Sequence, residues 1–121
     1  MTTIKLSPII RSAIEIWIKG GDNHTECAKV FKHFGYELET YRPLQSIKLY
    51  RNEYPDEPSQ YNRYTAWSKS REIASKYGGP HRVLVHKTFY PGELLVDITL
   101  LGDLDSLKQE EVIAKPQLGW Y

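Results

Sequence analysis

Residues 61–79 read YNRYTAWSKSREIASKYGG and determine how the rest of the chain is organised. A short run of aromatic and β-branched residues ends at Trp67, and Ser68 and Ser70 then open a segment that stops at a Gly-Gly-Pro sequence. This order predicts a strand that passes directly into a helix ending near Tyr77. The first amides of a helix have no partner within it, so such a turn can hold a ligand, although it is equally the ordinary form of a helix N-cap.

The composition is that of an ordinary globular protein. The 121 residues are 40% hydrophobic and 26% charged, and 16 basic against 15 acidic side chains leave a formal charge of +1. A chain of this length builds one core, so residues 1–121 are expected to form a single domain. The near-neutral charge excludes the large basic field of a nonspecific nucleic-acid-binding protein, but it does not exclude a local basic patch.

Cysteine usage and the first residues indicate the compartment. Cys27 is the one cysteine, which excludes an internal disulfide and fits a reducing environment. The segment MTTIKLSPII contains Lys5 and no uninterrupted apolar stretch, so neither a signal peptide nor a membrane span is predicted. The expected location is the cytoplasm, without a membrane partner. His24 and Cys27 share a predicted helix face, but no third ligand has zinc spacing, so no metal is expected.

Two helices are predicted in the N-terminal part. Apolar residues recur at spacings of three and four between Ser7, a plausible cap, and Gly20. A second helix is expected between Asn23, which forms a capping pair with Glu26, and Gly35 at its C′ position.

Residues 45–115 are expected to hold a sheet. Alternating or β-branched segments predict short strands over residues 46–51, 64–67, 82–88, 93–98 and 111–114. Two helices within residues 1–37, followed by strands around a single later helix, predict an α+β fold with a mixed or antiparallel sheet.

Three of the predicted strands have a chemically useful group at one end. Arg51 ends the first strand, Ser68 ends the second, and Glu111 opens the last. The motifs around them are LYR at residues 49–51, WSKS at residues 67–70 and QEEV at residues 109–112. In their order and strand-end positions, these motifs make roughly half of the chain similar to the Arg-Ser-Glu branch of the ADP-ribosyltransferase superfamily.

The resemblance implies a small mono-ADP-ribosyltransferase with the split sheet of that family. Such an enzyme uses NAD as its ADP-ribose donor, needs no metal, releases nicotinamide and modifies a protein or nucleic-acid acceptor. Cleavage of the bond between nicotinamide and ribose creates an oxocarbenium-like centre, which a nearby carboxylate stabilises. The resemblance gives that role to Glu111.

The resemblance also implies roles for the other site residues. Arg51 would bind the ribose or the diphosphate with its planar charged fork. Ser68 would hydrogen-bond within the nicotinamide pocket and hold Glu111 in place. Gln109 would share a strand face with Glu111 and meet the acceptor. The further NAD-binding candidates are Tyr50, Tyr64, Trp67, Ser70 and Tyr77, with core packing as the alternative for Tyr77.

The chain departs from the family pattern at one position, the register of its last motif has an alternative, and two other functions stay open. Lys69 stands where the family usually has threonine, and a shift of the last motif by one residue would make Glu110 the catalytic carboxylate. Glu111 is preferred because it directly precedes an apolar pair. The other functions are an inactive binding or inhibitor protein of the same fold and a helix-turn-helix DNA-binding module, against which Pro43 and the near-neutral charge argue.

Overall fold

The computed structural model describes residues 5–20, 23–53, 63–76, 82–105 and 108–116. The helices are α1 (Pro8–Lys19), α2 (His24–Phe34) and α3 (Arg71–Ser75). The strands are β1 (Ile47–Glu53), β2 (Thr65–Ser68), β3 (Val83–Phe89), β4 (Leu94–Asp97) and β5 (Glu111–Ala114). The five strands form one sheet in the order β3-β1-β2-β5-β4, and every pair is antiparallel. The predicted α+β class is confirmed, with an antiparallel sheet.

The first helix is amphipathic, as its spacing predicts. Its buried face includes Ile10, Ile14 and Trp17, and it ends at Gly20, whose φ of 78° favours glycine. Ser7 does not cap it with its side chain. The backbone N–H and the Oγ of Ser7 each donate to the Glu37 carboxylate at 2.8 Å. These bonds connect the start of α1 to the turn after α2. No helix within the described ranges is long and apolar enough to cross a membrane.

The second helix differs from expectation at both ends. Asn23 makes no side-chain cap hydrogen bond, so the predicted capping pair is wrong. Gly35 has a φ of −60° and begins a 3₁₀ turn, Gly35–Leu38, so it does not have the left-handed conformation of a C′ glycine. A Cβ at Gly35 would lie 3.0 Å from Leu95 Cδ1. Glycine therefore allows the end of α2 to approach the sheet closely.

Two hydrophobic clusters cover the two faces of the sheet. On one face, α1 and α2 pack against a group that includes Val96, Ile98 and Ile113. The buried cluster on the other face consists of Leu49, Trp67, Phe89, Leu94, Val112 and Ala114. Adjacent residues of a strand point to opposite faces, so β5 is buried on both sides, in agreement with its apolar sequence.

The two halves of the sheet meet at a narrow seam. β1 pairs with β3 along its whole length, and β2 pairs with β5 along its whole length. β1 and β2 pair only at Tyr50 and Ser68. Beyond that position, the Nη1 of Arg51 donates to the Ala66 carbonyl at 2.8 Å. A side chain thus spans the place where further backbone pairing would close the sheet.

The strand bounds agree with the sequence prediction to within two residues, and β5 agrees at both ends. Ile98 begins a 3₁₀ turn instead of ending β4. α3 is shorter than predicted, and Tyr77 lies outside the described residues. The helix-turn-helix alternative is wrong because α2 is followed by a 3₁₀ turn and then by β1, and not by a second helix.

A buried polar cluster ties the turn between β2 and α3 to β4. Asp97 is 2% exposed, and its Oδ2 lies 2.6 Å from Lys69 Nζ. Its Oδ1 accepts from the backbone N–H of Thr99 at 3.0 Å and from the Thr99 hydroxyl at 2.6 Å. The backbone N–H of Asp97 donates to the Tyr41 carbonyl at 2.7 Å. The Asp97 carboxylate is therefore fully engaged, with Lys69 as its counter-charge.

Replacing Lys69 with Met should destabilise the fold by about 2–3 kcal/mol, because it leaves a buried carboxylate without its counter-charge. Urea unfolding at neutral pH measures the change. The matched control is Lys29→Met, which removes the exposed Lys29–Glu26 pair at 3.3 Å and should cost less than about 0.5 kcal/mol. Equal effects of the two substitutions would contradict the structural role of Lys69.

Candidate active site

A cavity of about 200 Å³ opens at the seam between β1 and β2. Six of the predicted site residues contribute to its wall: Tyr50, Arg51, Trp67, Ser68, Gln109 and Glu111. Residues from all three sequence motifs therefore meet at one place, although the motifs lie far apart along the chain.

Strand pairing aligns three of these side chains. Tyr50 of β1 is paired with Ser68 of β2, and Ser68 is paired with Glu111 of β5. Residues directly opposite each other in a sheet project to the same face. The phenol, the hydroxyl and the carboxylate consequently form a row across three strands, on the face that α1 and α2 partly cover.

Glu111 is a buried carboxylate with a donor from a distant helix. Its exposure is 9%, and the Nε1–H of Trp17 donates to its Oε2 at 2.6 Å. Burial raises the pKa of Glu111 to about 7, the Trp17 hydrogen bond opposes that rise, the charge of Asp105 adds to it, and the charge of Arg51 opposes it. Both protonation states are therefore accessible near neutral pH, as suits a group that handles charge or protons.

Ser68 is hydrogen-bonded to the backbone on either side of the cavity. Its Oγ donates to the Gln109 carbonyl at 3.0 Å and accepts from the Ser70 backbone N–H at 3.1 Å. The Glu111 carboxylate itself accepts from Trp17. Ser68 thus holds the segment that leads into β5, and Ser70 is the N-cap of α3, accepting from the Ile73 N–H at 3.2 Å.

The segment before β5 has unusual backbone geometry. Lys108 has a φ of 51° and Glu110 a φ of 52°, a conformation that non-glycine residues rarely adopt. β5 begins at Glu111, so strand alternation does not relate Gln109 to Glu111, and that step of the prediction is wrong. Gln109 nevertheless lines the cavity, whereas Glu110 is exposed and uses its carbonyl to accept from the Lys69 N–H at 3.0 Å. Of these two carboxylates, Glu111 lines the cavity and Glu110 does not.

Two arginines contribute to the cavity wall. Arg51 spans the seam to the Ala66 carbonyl, and its Nε lies 3.3 Å from an oxygen of the buried Glu53 carboxylate. Arg82, which precedes β3, was missed from the sequence. The antiparallel pairing of Glu53 with Val83 places the start of β3 beside the end of β1. A predicted antiparallel pairing of these two strands is therefore the signal that could have identified Arg82.

The aromatic candidates separate into three groups. Trp67 is 3% exposed, packs edge-on against Phe89 with ring centroids 4.8 Å apart, and presents only part of its surface to the cavity. Tyr64 packs edge-on against Phe31 of α2 at 5.4 Å and is not among the residues of the cavity wall. Tyr50 is half-buried at the cavity and is the best placed of the described aromatic residues for contact with a ligand.

The described residues offer no cluster of three His, Cys, Asp or Glu side chains that could hold a metal ion. Cys27 donates from its Sγ to the Ala13 carbonyl at 3.4 Å, and His24 stacks on Trp17. Both side chains therefore take part in the contact between α1 and α2.

Comparisons with protein-family models, with curated proteins and with solved structures gave no match to this chain. Its function is therefore inferred from the cavity and from the three motifs that line it.

The stability of the protein should depend on the protonation of Glu111. The pKa of this group is raised from 4.5 to about 7, because the neutral carboxyl is favoured in the buried position. The stabilisation that the neutral form gives the folded state is fully present below pH 4.5 and is lost as the pH rises through about 7. Between about pH 5 and pH 8 the loss is roughly 2–3 kcal/mol in the free energy of unfolding. Glu111→Gln should remove this part of the pH dependence, which urea unfolding at both pH values measures.

Glu110→Gln is the matched control, since it makes the same chemical change at the adjacent, exposed residue. This variant should keep the wild-type pH dependence. If both variants retained the wild-type slope, Glu111 would not be a carboxyl whose ionisation is suppressed by burial.

Proposed function

We propose that this chain is a mono-ADP-ribosyltransferase that transfers ADP-ribose from NAD to a protein or nucleic-acid acceptor and releases nicotinamide. The observation that supports this function is the meeting of Arg51, Ser68 and Glu111 at one cavity. These are the residue types, in the same order along the chain, that the Arg-Ser-Glu resemblance requires. We also propose a cytoplasmic location, which the single cysteine favours.

The size and charge of the cavity indicate which part of NAD it would take. At about 200 Å³ it is smaller than the roughly 300–1,000 Å³ of sites that enclose a drug-sized ligand. It would therefore enclose one end of the dinucleotide and leave the rest outside. The nicotinamide and its ribose suit the end lined by Glu111, since a positively charged ring and developing positive charge are favoured beside a carboxylate.

The reaction would be a displacement at the anomeric carbon of that ribose. The bond to the nicotinamide nitrogen breaks with its electron pair, which leaves neutral nicotinamide, and the acceptor nucleophile forms the new bond and loses a proton. The Glu111 carboxylate would stabilise the developing charge and hydrogen-bond a ribose hydroxyl. A group that titrates near neutral pH is also suited to receive the acceptor proton.

The arginines would act on the diphosphate. Arg51 and Arg82 bring two permanent positive charges to the wall of the cavity, and a guanidinium binds phosphate oxygens through paired hydrogen bonds. In the structure Arg51 bonds to the Ala66 carbonyl and lies beside Glu53, so its direction is fixed before a ligand arrives. A preset direction lowers the entropy cost of binding.

The test is to incubate the purified protein with labelled NAD and a host-cell lysate. Wild type should label a discrete macromolecule, and Glu111→Gln should reduce the labelling rate by on the order of a hundredfold to a thousandfold, as expected for loss of one charge-stabilising group. Glu110→Gln is the matched control and should label at close to the wild-type rate. Thermal unfolding of each variant shows that the change is in chemistry and not in folding.

Other outcomes lead to other conclusions. Activity in Glu111→Gln combined with its loss in Glu110→Gln would exchange the roles of the two carboxylates. NAD-dependent thermal stabilisation without labelling would favour an inactive, nucleotide-binding protein of this fold. No response to NAD in either assay would contradict the proposed function.

A further inference from the structure

A tryptophan of the first helix reaches the candidate active site. Trp17 lies 94 residues before Glu111 in the sequence, and its Nε1–H donates to Glu111 Oε2 at 2.6 Å. Both partners are buried, with 4% of Trp17 and 9% of Glu111 exposed. The motifs and the proposed chemistry assign no role to Trp17, because apolar spacing alone makes it a core residue of α1.

The indole is held in place on both sides. The His24 ring stacks on it, with centroids 4.3 Å apart and an angle of 16° between the planes. Phe31 packs on it at 5.6 Å with a tilt of 58°. Two ring contacts from α2 and the packing of α1 leave the indole little freedom to rotate. The helix pair therefore holds the direction of its N–H toward Glu111.

We propose that Trp17 is a positioning residue for Glu111: its N–H fixes one carboxylate oxygen, favours the ionised group and leaves the other oxygen to meet the ribose. This inference rests on the proposed function for the part that concerns the ribose. The part that concerns the carboxylate does not depend on any ligand.

The chemistry of the indole explains why it suits this role. An indole nitrogen donates a hydrogen bond and cannot accept one, so it offers nothing to the O–H of a protonated carboxyl. Donation to an anion is also stronger than donation to a neutral group, in agreement with the short distance. Trp17 therefore opposes the effect of burial on Glu111 without adding a charge.

Other groups act on the same carboxylate. Arg51 from β1 favours its ionised form, and Asp105 from the segment before β5 disfavours it. Ser68, directly opposite Glu111 on β2, is not titratable. The titratable side chain that α2 brings to this contact is His24, which stacks on the Trp17 ring and not on the carboxylate. Trp17 is the hydrogen-bond donor to the carboxylate from the helical layer, so its removal should be visible beyond the effects of the two charges.

A second buried tryptophan provides an internal control. The Nε1–H of Trp67 donates to Thr65 Oγ1 at 2.8 Å, and Trp67 belongs to the cluster on the opposite face of the sheet. The two indole N–H groups thus differ in whether a titrating carboxylate accepts from them. Their NMR signals can be compared in one sample of unmodified protein.

The experiment follows indole ¹H–¹⁵N signals of the ¹⁵N-labelled chain against pH. The Trp17 signal should shift with a midpoint near that of Glu111, about 7, and the Trp67 signal should change much less. Glu111→Gln should abolish the Trp17 titration. The ¹³C signal of the Glu111 carboxyl should titrate about one to two pH units higher in Trp17→Phe, which keeps a ring and removes the donor.

The same substitution has a kinetic expectation. If the charged carboxylate is the active form, the acid limb of the rate of labelling from NAD should move to higher pH in Trp17→Phe by the same amount as the carboxyl midpoint. A residue that acts only through packing would lower the rate equally at every pH. Thermal unfolding compares the fold of this variant with that of wild type.

The outcomes separate this inference from the proposed function. An unchanged Glu111 midpoint in a folded Trp17→Phe, or a Trp17 signal that does not titrate in wild type, would overturn the inference. If Trp17→Phe failed to fold, the wild-type titration and its loss in Glu111→Gln would still decide the question. Coupled titration in a protein that never transfers ADP-ribose would support the link between Trp17 and Glu111 while overturning the enzymatic function.

Discussion

Within the described residues, Tyr50 and Ser68 are the one paired position that joins the two halves of the sheet. Antiparallel strands normally continue to pair for as long as both remain extended, because each missed pairing leaves backbone groups without partners. Here Arg51 donates to the Ala66 carbonyl and so satisfies a backbone acceptor that a continuous ladder would have used. The Arg51 guanidinium thus occupies the seam where backbone pairing stops, and the cavity lies at that opening.

The position of β5 in the sheet explains why the Glu111 carboxylate is buried. β5 is covered on both faces, so a carboxylate at its first residue loses hydration and becomes harder to ionise. Trp17 and Arg51 offset part of that penalty, and Asp105 adds to it. The net result is a group that titrates near neutral pH. This balance needs contributions from α1, β1 and the segment before β5, so the site is a property of the whole fold and not of one motif.

Much of the fold follows from local sequence patterns. Apolar periodicity predicts α1 and α2, and β-branched segments predict the strand bounds to within two residues. Each pattern is set by the face of the element that must be buried. Long-range partners leave no such signal. Trp17 has the same helical spacing as its apolar neighbours, so nothing local separates a donor to Glu111 from a core residue. Gly35 follows the last residue of α2, as the sequence predicts, but its right-handed conformation and its close contact with Leu95 are set by packing between the helix end and the sheet.

The segment before β5 shows where local reasoning about the site fails. Neither Lys108 nor Glu110 belongs to the residue types that favour positive φ, so the sequence does not reveal the two left-handed residues before Glu111. That geometry has support from the neighbouring turn: Lys69 donates its N–H to the Glu110 carbonyl, and Ser68 donates to the Gln109 carbonyl. The side chain of Lys69 is also bound to the buried Asp97 carboxylate, with Nζ 2.6 Å from Oδ2. Lys69 therefore links β4, through its side chain, to the segment that leads into Glu111, through its backbone N–H.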